Sequence, residues 1–248
     1  MSGTRSPSPK ERAIRAARPG TLLLVTHGIE GRPGSTADHA TAIAKLGRFE
    51  EVRVGCIKGM PDLATALRDA PPPVCVVPML MARGFIFDLM RQRLDALPGG
   101  SACILAEPVG GHPGLTELIR QHADAAGRAQ GSRPERTALL LIGHGTPRHG
   151  GSAEATREQA RRLVNAGYAA VTDDYLEEAP FPREAVDGLP GEHVIAVGLF
   201  LDNGPHGDAD ARAALAGIAR PVGYTGALGA DPALLPLILD QAERALAP

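Results

Sequence analysis

The chain contains the same strand-like heptad twice, and this constrains its fold more than any other feature. Residues 22–28 read LLLVTHG and residues 139–145 read LLLIGHG, which sets His27 and His144 117 positions apart. Three further matches follow in the same order. Gly34-Ser35 pairs with Gly151-Ser152, VPMLMARG at 77–84 pairs with VGLFLDNG at 197–204, and Gly110-x-x-Pro113-x-Leu115 pairs with Gly229-x-x-Pro232-x-Leu234. The spacing drifts only from 117 to 120 across the set, so the pattern reads as a duplicated unit rather than as scattered coincidences. A total of 248 residues leaves each copy long enough to bury a core. The stretch AAGRAQGSRPERT at 125–137 has linker composition. We therefore expect an arm at 1–20, a first unit at 21–130 and a second at 131–248.

Within each copy, short runs of Val, Ile and Leu without period-two alternation suit strands covered on both faces, as in parallel sheets. These runs fall at 21–26, 52–57, 74–80 and 102–105, then at 139–142, 169–175, 194–200 and 221–225. Helix-like stretches lie between them at 35–46, 61–68, 87–97 and 115–126, then at 152–165, 208–218 and 233–246, with Ser35 or Thr36 as the first N-cap. Strand–helix alternation predicts parallel sheets with right-handed crossovers. The expected fold is α/β: two similar four-stranded parallel-sheet units facing a central cleft.

Composition removes several function classes. A formal charge of −2 and 3% aromatic residues with no tryptophan give no footprint for nucleic acid. No apolar run approaches the ~18 residues of a membrane span, and the basic, Ser/Pro-rich opening lacks the apolar stretch of a secretory signal. That opening is expected to be a disordered or transit-like arm. Cys56, Cys75 and Cys103 are isolated and odd in number, which argues against a disulfide framework and for a reducing cytoplasm. GxxxxGK[ST] is absent, which disfavours an ATP-driven reaction and leaves no nucleotide cofactor expected.

Ligands of open parallel sheets bind at the carboxyl ends of the strands. In the second copy, His144, Glu177 and His206 follow successive strands, and two imidazoles with a carboxylate suit a divalent first-row metal. The duplication acts as an internal control. His144 matches His27, but His206 matches Ile86 and Glu177 matches Lys58. One site is therefore expected, built by the second copy and closed by the first. His39, His112, His122 and His193 are expected at the surface or at caps, while Asp208 and Asp210 either support the site or face solvent.

The ordered set LLLIGHGTPRHGGS, Tyr175-Leu176-Glu177-Glu178-Ala179-Pro180, and LFLDNGPHGDAD with Asp210 four residues after His206 resembles the CbiX/SirB family of class II chelatases. The likeness covers nearly all of the chain after about residue 19. It implies insertion of Co²⁺ or Fe²⁺ into sirohydrochlorin on the route to cobalamin or sirohaem. His144 and His206 would be the metal-binding pair and Glu177 an acidic helper. The carboxylates of such a substrate would meet Arg148, Lys58 and Arg83 on loops expected to face the cleft. The chain keeps its histidine pair in the second copy, whereas some two-unit family members keep it in the first; it has Tyr175 where phenylalanine is usual, and it lacks the histidine-rich tail of some relatives. The assembly is expected to be a monomer or homodimer. Two other readings fit parts of the sequence: a metal or tetrapyrrole carrier without turnover, and a histidine-phosphatase-type enzyme using His149 of Arg148-His149-Gly150.

Overall fold

The computed structural model describes residues 20–146, 151–186 and 188–247; the expected arm therefore lies outside the described residues, Gly20 excepted. Among the described residues, eight strands form two four-stranded sheets. The first has the order β2 (Glu51–Cys56), β1 (Thr21–Thr26), β3 (Val74–Met79), β4 (Ile104–Leu105), and the second β6 (Ala170–Tyr175), β5 (Thr137–Gly143), β7 (His193–Gly198), β8 (Val222–Ala227). Every pairing is parallel, and the central strands β1 and β5 are fully buried along their length. This burial on both faces is why the sequence shows continuous apolar runs there instead of alternation.

Successive side chains of each central strand serve two different cores. On the outer face of the first sheet, Leu23, Val25 and Val76 pack under α2 (Leu63–Leu67) and α3 (Phe85–Asp95). On the outer face of the second, Leu140, Ile142 and Ala196 pack under α6 (Pro182–Val186) and α7 (Ala211–Leu215). The inner faces share one continuous core. It joins Leu22, Leu24 and Val77 to Leu139, Leu141 and Val197 through α1 (Ser35–Leu46), α4 (Leu115–Ala129), α5 (Gly151–Leu163) and α8 (Leu235–Leu246).

The closing helix of each copy crosses to the other. Helix α4, from the end of the first copy, packs on β7 and β8, while α8, from the end of the second, packs on β3 and β4. Polar contacts lock the exchange: Gln241 on α8 donates to the carbonyls of Glu107 and Pro108 at 3.1 Å, and the Tyr168 hydroxyl donates to Asp124 on α4 at 2.7 Å. Two histidines expected at the surface or at caps are buried in this seam, each 4% exposed, and His112 also caps the Val109–Gly111 turn. His39 bonds the carbonyl of Gly229 at 2.8 Å. His112 accepts from the Gly114 N–H at 2.9 Å and faces Asp240 at 2.5 Å. Each therefore has the partners that burial of a polar ring demands.

Four local expectations are corrected. Neither Ser35 nor Thr36 caps α1; its N-cap is Gly34, and Asp202 of the second copy takes the cap role by accepting the Ser35 N–H at 2.6 Å. The fourth strand of the first copy shortens to Ile104–Leu105 because Gly100–Ala102 winds into a 3₁₀ turn. The helix expected at 208–218 opens as a π-turn, His206–Asp210, and continues only over Ala211–Leu215. Helix α6 had no counterpart among the expectations.

Asp174, on edge strand β6, has neither carboxyl oxygen in a hydrogen bond and no exposed surface. Burial, reinforced by the charge of Asp173, raises its pKa to about 7, an effect that nearby Thr172 only partly offsets. A carboxyl group whose folded pKa lies above its unfolded value binds more protons folded than unfolded between the two. Stability is therefore full near pH 4 and falls as pH rises toward 7. Asp174→Asn should flatten that fall, by up to about 4 kcal/mol at pH 8. Urea denaturation at pH 5 and pH 8 checks this, and equal pH dependence in the two proteins would refute it.

Candidate metal-delivery site

Strands β1 and β5 both end in His-Gly, and in both copies the glycine has the only side chain that fits. Gly28 and Gly145 adopt φ of 95° and 65°, in the left-handed region. A Cβ on Gly145 would lie 2.7 Å from the Tyr175 Cβ and 2.8 Å from the Glu178 Cγ, and one on Gly28 would overlap the Lys58 carbonyl. The histidine carbonyls extend the sheet by one step: His27 O accepts from the Lys58 N–H at 2.7 Å, and His144 O from the Glu177 N–H at 3.1 Å. Lys58 and Glu177 thus occupy equivalent places at the mouths of the two sheets, as the internal alignment implied.

The structure brings His144 and His206 together. Their ring centroids are 4.5 Å apart at 72°, an edge-to-face contact between side chains 62 residues apart in sequence. His206 arrives on the π-turn, a geometry that frequently marks functional positions. The loop before it is pinned from several sides. The Tyr224 hydroxyl donates to Gly207 O at 2.7 Å, Asn203 accepts from the Ala227 N–H at 2.8 Å, and Asp202 holds α1 of the first copy. Gly204 lies against Ile29, so the first copy also braces this loop directly.

Hydrogen bonding fixes the tautomer of each ring. His144 Nδ1 lies 2.7 Å from the Gly145 carbonyl and His206 Nδ1 lies 2.8 Å from an Asp210 carboxylate oxygen. Both partners only accept, so each Nδ1 carries the proton and each neutral ring presents its Nε2 lone pair. This is the arrangement seen when an outer carboxylate or carbonyl orients a metal-ligating histidine. Asp210 is therefore the orienting carboxylate, whereas Asp208 forms an ion pair with Arg212.

Glu177 and Glu178 divide their work. Glu177 Oε1 is 3.7 Å from His144 Nε2 and half exposed, while Glu178 accepts the Thr146 N–H at 2.9 Å and anchors the loop after β5. Among the described residues, no three His, Cys, Asp or Glu side chains are grouped to hold an ion. Two fixed imidazole nitrogens with open positions beside them suit an ion that must leave, whereas closed four-ligand sets suit structural ions.

The remaining candidates separate. Lys58 stands close enough to His27 to act on its charge. Arg83 forms a two-pronged ion pair with Glu107 and stacks over Phe87 with 5.1 Å to the ring centroid, and it makes no contact with the histidine pair. Arg148 and His149 lie outside the described residues. His27 itself is a third imidazole near the pair; burial, the Lys58 cation, His144 and His206 all hold its pKa below the ordinary value. Asp202 was invisible to sequence reasoning, because its partner lies 167 residues away in the other copy.

Residues 138–245 match the family model CbiX. The chain is 26% identical over 270 residues to a probable sirohydrochlorin cobaltochelatase of Halobacterium salinarum, with 92% of each chain covered. It is 30% identical to the solved structure of CbiX, the terminal enzyme for biosynthesis of siroheme in denitrifying bacteria, with a TM-score of 0.74 over 92% of this chain and 100% of that one. A multi-domain protein of Deinococcus radiodurans with structural similarity to chelatases shares the fold at 23% identity and a TM-score of 0.71. This chain spans about half of that protein, 54% of its length. Duplicated parallel sheets, a paired-histidine site and full-length similarity to a solved relative agree: the chain belongs to the CbiX family of chelatase enzymes.

Proposed function

We propose that this enzyme inserts Co²⁺ or Fe²⁺ into sirohydrochlorin without ATP, in the cytoplasm, on the way to cobalamin or sirohaem. The observation that carries this reading is the edge-to-face histidine pair, with both Nδ1 atoms tied to acceptors and both Nε2 atoms free for an ion. His144 and His206 hold the metal as a substrate in transit. Glu177, beside His144, offsets the ion's charge and takes a proton released at the insertion step. Lys58 meets the macrocycle's carboxylates, and Arg148 is a further cation proposed for them. The residues at 21–130 supply the closing wall and those at 131–248 the metal pair, although the helices at their ends are exchanged. The names of two relatives, a cobaltochelatase and an enzyme of siroheme biosynthesis, support the substrate class and the two metals.

The test is anaerobic incubation of the purified protein with sirohydrochlorin and either Co²⁺ or Fe²⁺, followed through the tetrapyrrole absorption bands and without nucleotide. Insertion well above the protein-free rate, and unaffected by added ATP, is expected with at least one metal. Tight binding of metal or macrocycle with insertion no faster than the control would mark a carrier and defeat the proposal.

A further inference from the structure

We propose that Asp202 is a positioning residue for the metal pair, and that through it the copy without the pair holds His206 in place beside His144. The inference rests on the chelatase reading above only in that the pair binds the ion. The need for such a residue follows from how differently the two rings are carried. His144 directly follows β5, a central strand buried along its whole length, and the sheet sets its place. His206 stands outside the sheet, on the turn after β7, and half of its side chain is exposed. An ion shared by two nitrogens demands both within a fraction of an ångström. Whatever fixes the loop at 201–206 therefore fixes the site.

That loop is fastened on both sides of the histidine. Beyond His206, the Gly207 carbonyl accepts from the Tyr224 hydroxyl within the second copy. Before it, the fastening crosses to the first copy. Asp202 Oδ2 accepts the Ser35 N–H at 2.6 Å, and the Ser35 hydroxyl donates to the Leu201 carbonyl at 3.0 Å. The other carboxylate oxygen of Asp202 accepts the Asn203 N–H at 3.0 Å. Gly34, at a left-handed φ of 59°, admits this approach, because a Cβ there would overlap the Asp202 carboxylate. The duplication again provides a control. Asp202 matches Ala82 in the internal alignment, and Asn203 matches Arg83. Alanine has no side-chain acceptor for a helix N–H, and Arg83 turns to Glu107 of its own copy. The tether is thus present where the loop carries a histidine and missing its acceptor where the loop carries Ile86. A fastening that served packing alone would be expected in both copies.

Asp202→Ala should weaken Co²⁺ binding by about 10-fold, the lower end of what loss of an orienting group costs a metal site, and should alter the visible absorption of the bound ion. The kcat/KM for Co²⁺ insertion should fall by a similar factor, with KM for sirohydrochlorin within about twofold of the parent. Asp202→Asn keeps one oxygen for the Ser35 N–H and should recover part of the affinity. Ser35→Pro removes that N–H at a helix position that accommodates proline. It should reproduce the loss, and combining it with Asp202→Ala should weaken binding no further, as for two halves of one contact. Asp62→Ala is the control for lost stability alone: Asp62 caps α2 in the first copy by accepting the Thr65 N–H at 2.8 Å, and its loss should leave Co²⁺ affinity unchanged. Parent-like Co²⁺ affinity and spectrum in Asp202→Ala, or equal weakening in Asp62→Ala, would overturn the inference. A parent protein that binds Co²⁺ but inserts none would defeat the chelatase reading, and the tether would stand or fall on Co²⁺ affinity alone. A parent that binds no Co²⁺ would defeat both.

Discussion

Replacing either His144 or His206 with alanine should reduce kcat/KM for metal insertion by at least ~10²-fold, equivalent to ~2.7 kcal/mol of lost transition-state stabilisation. The geometry makes the two losses equivalent. An ion held by two imidazoles is held by neither alone, because one nitrogen leaves the cation to water and to a carboxylate 3.7 Å from the missing ring. Neither variant should destabilise the fold, since 40% of the His144 side chain and 51% of the His206 side chain are exposed and their orienting bonds run to local groups. The double variant should therefore be little worse than either single one, as expected for groups that act as a unit. Co²⁺ titration alongside the insertion assay checks both points. Additive losses, or full activity in either single variant, would show that the rings do not share an ion.

The parts of this architecture that were legible in the sequence are those governed by short-range patterns. Continuous apolar runs marked β1 and β5 because both faces of those strands are covered, and the repeated His-Gly survived because a left-handed φ admits little but glycine after each histidine. Ile86 and Lys58 stand where the other copy has His206 and Glu177, and the expectation of one site rests on that asymmetry. What escaped was decided by distant partners. An amphipathic helix declares that it has an apolar face but not which sheet will cover it, so the exchange of α4 and α8 left no trace in either copy. The burial of His39 and His112, expected at the surface or at caps, escaped because their partners, Gly229 O and Asp240, lie more than 120 positions away. The roles of Asp210 and Asp208 were undecided for a related reason: both lie on the turn after β7, and their partners divide them, Asp210 bonding His206 at i,i+4 and Asp208 pairing with Arg212.

The exchanged helices also predict where damage will be felt. Ile238 on α8 is fully buried in the shared core, and α8 packs on β3 and β4 of the opposite sheet. Ile238→Ala should cost about 2–5 kcal/mol by removing packed methylenes and leaving a cavity. The informative result is its location. Hydrogen exchange should accelerate in β3, around Val76 and Val77, although the substitution lies more than 150 residues further along the chain. The same helix contacts α1, whose N-terminus is tied to Asp202 on the loop that carries His206. A loosened α8 should relax the His144–His206 pair through α1, and the variant should lose insertion rate at temperatures where it remains folded. Faster exchange confined to residues 137–227, with β3 unaffected, would show that each copy is held by its own helices and that the histidine pair does not depend on the exchange.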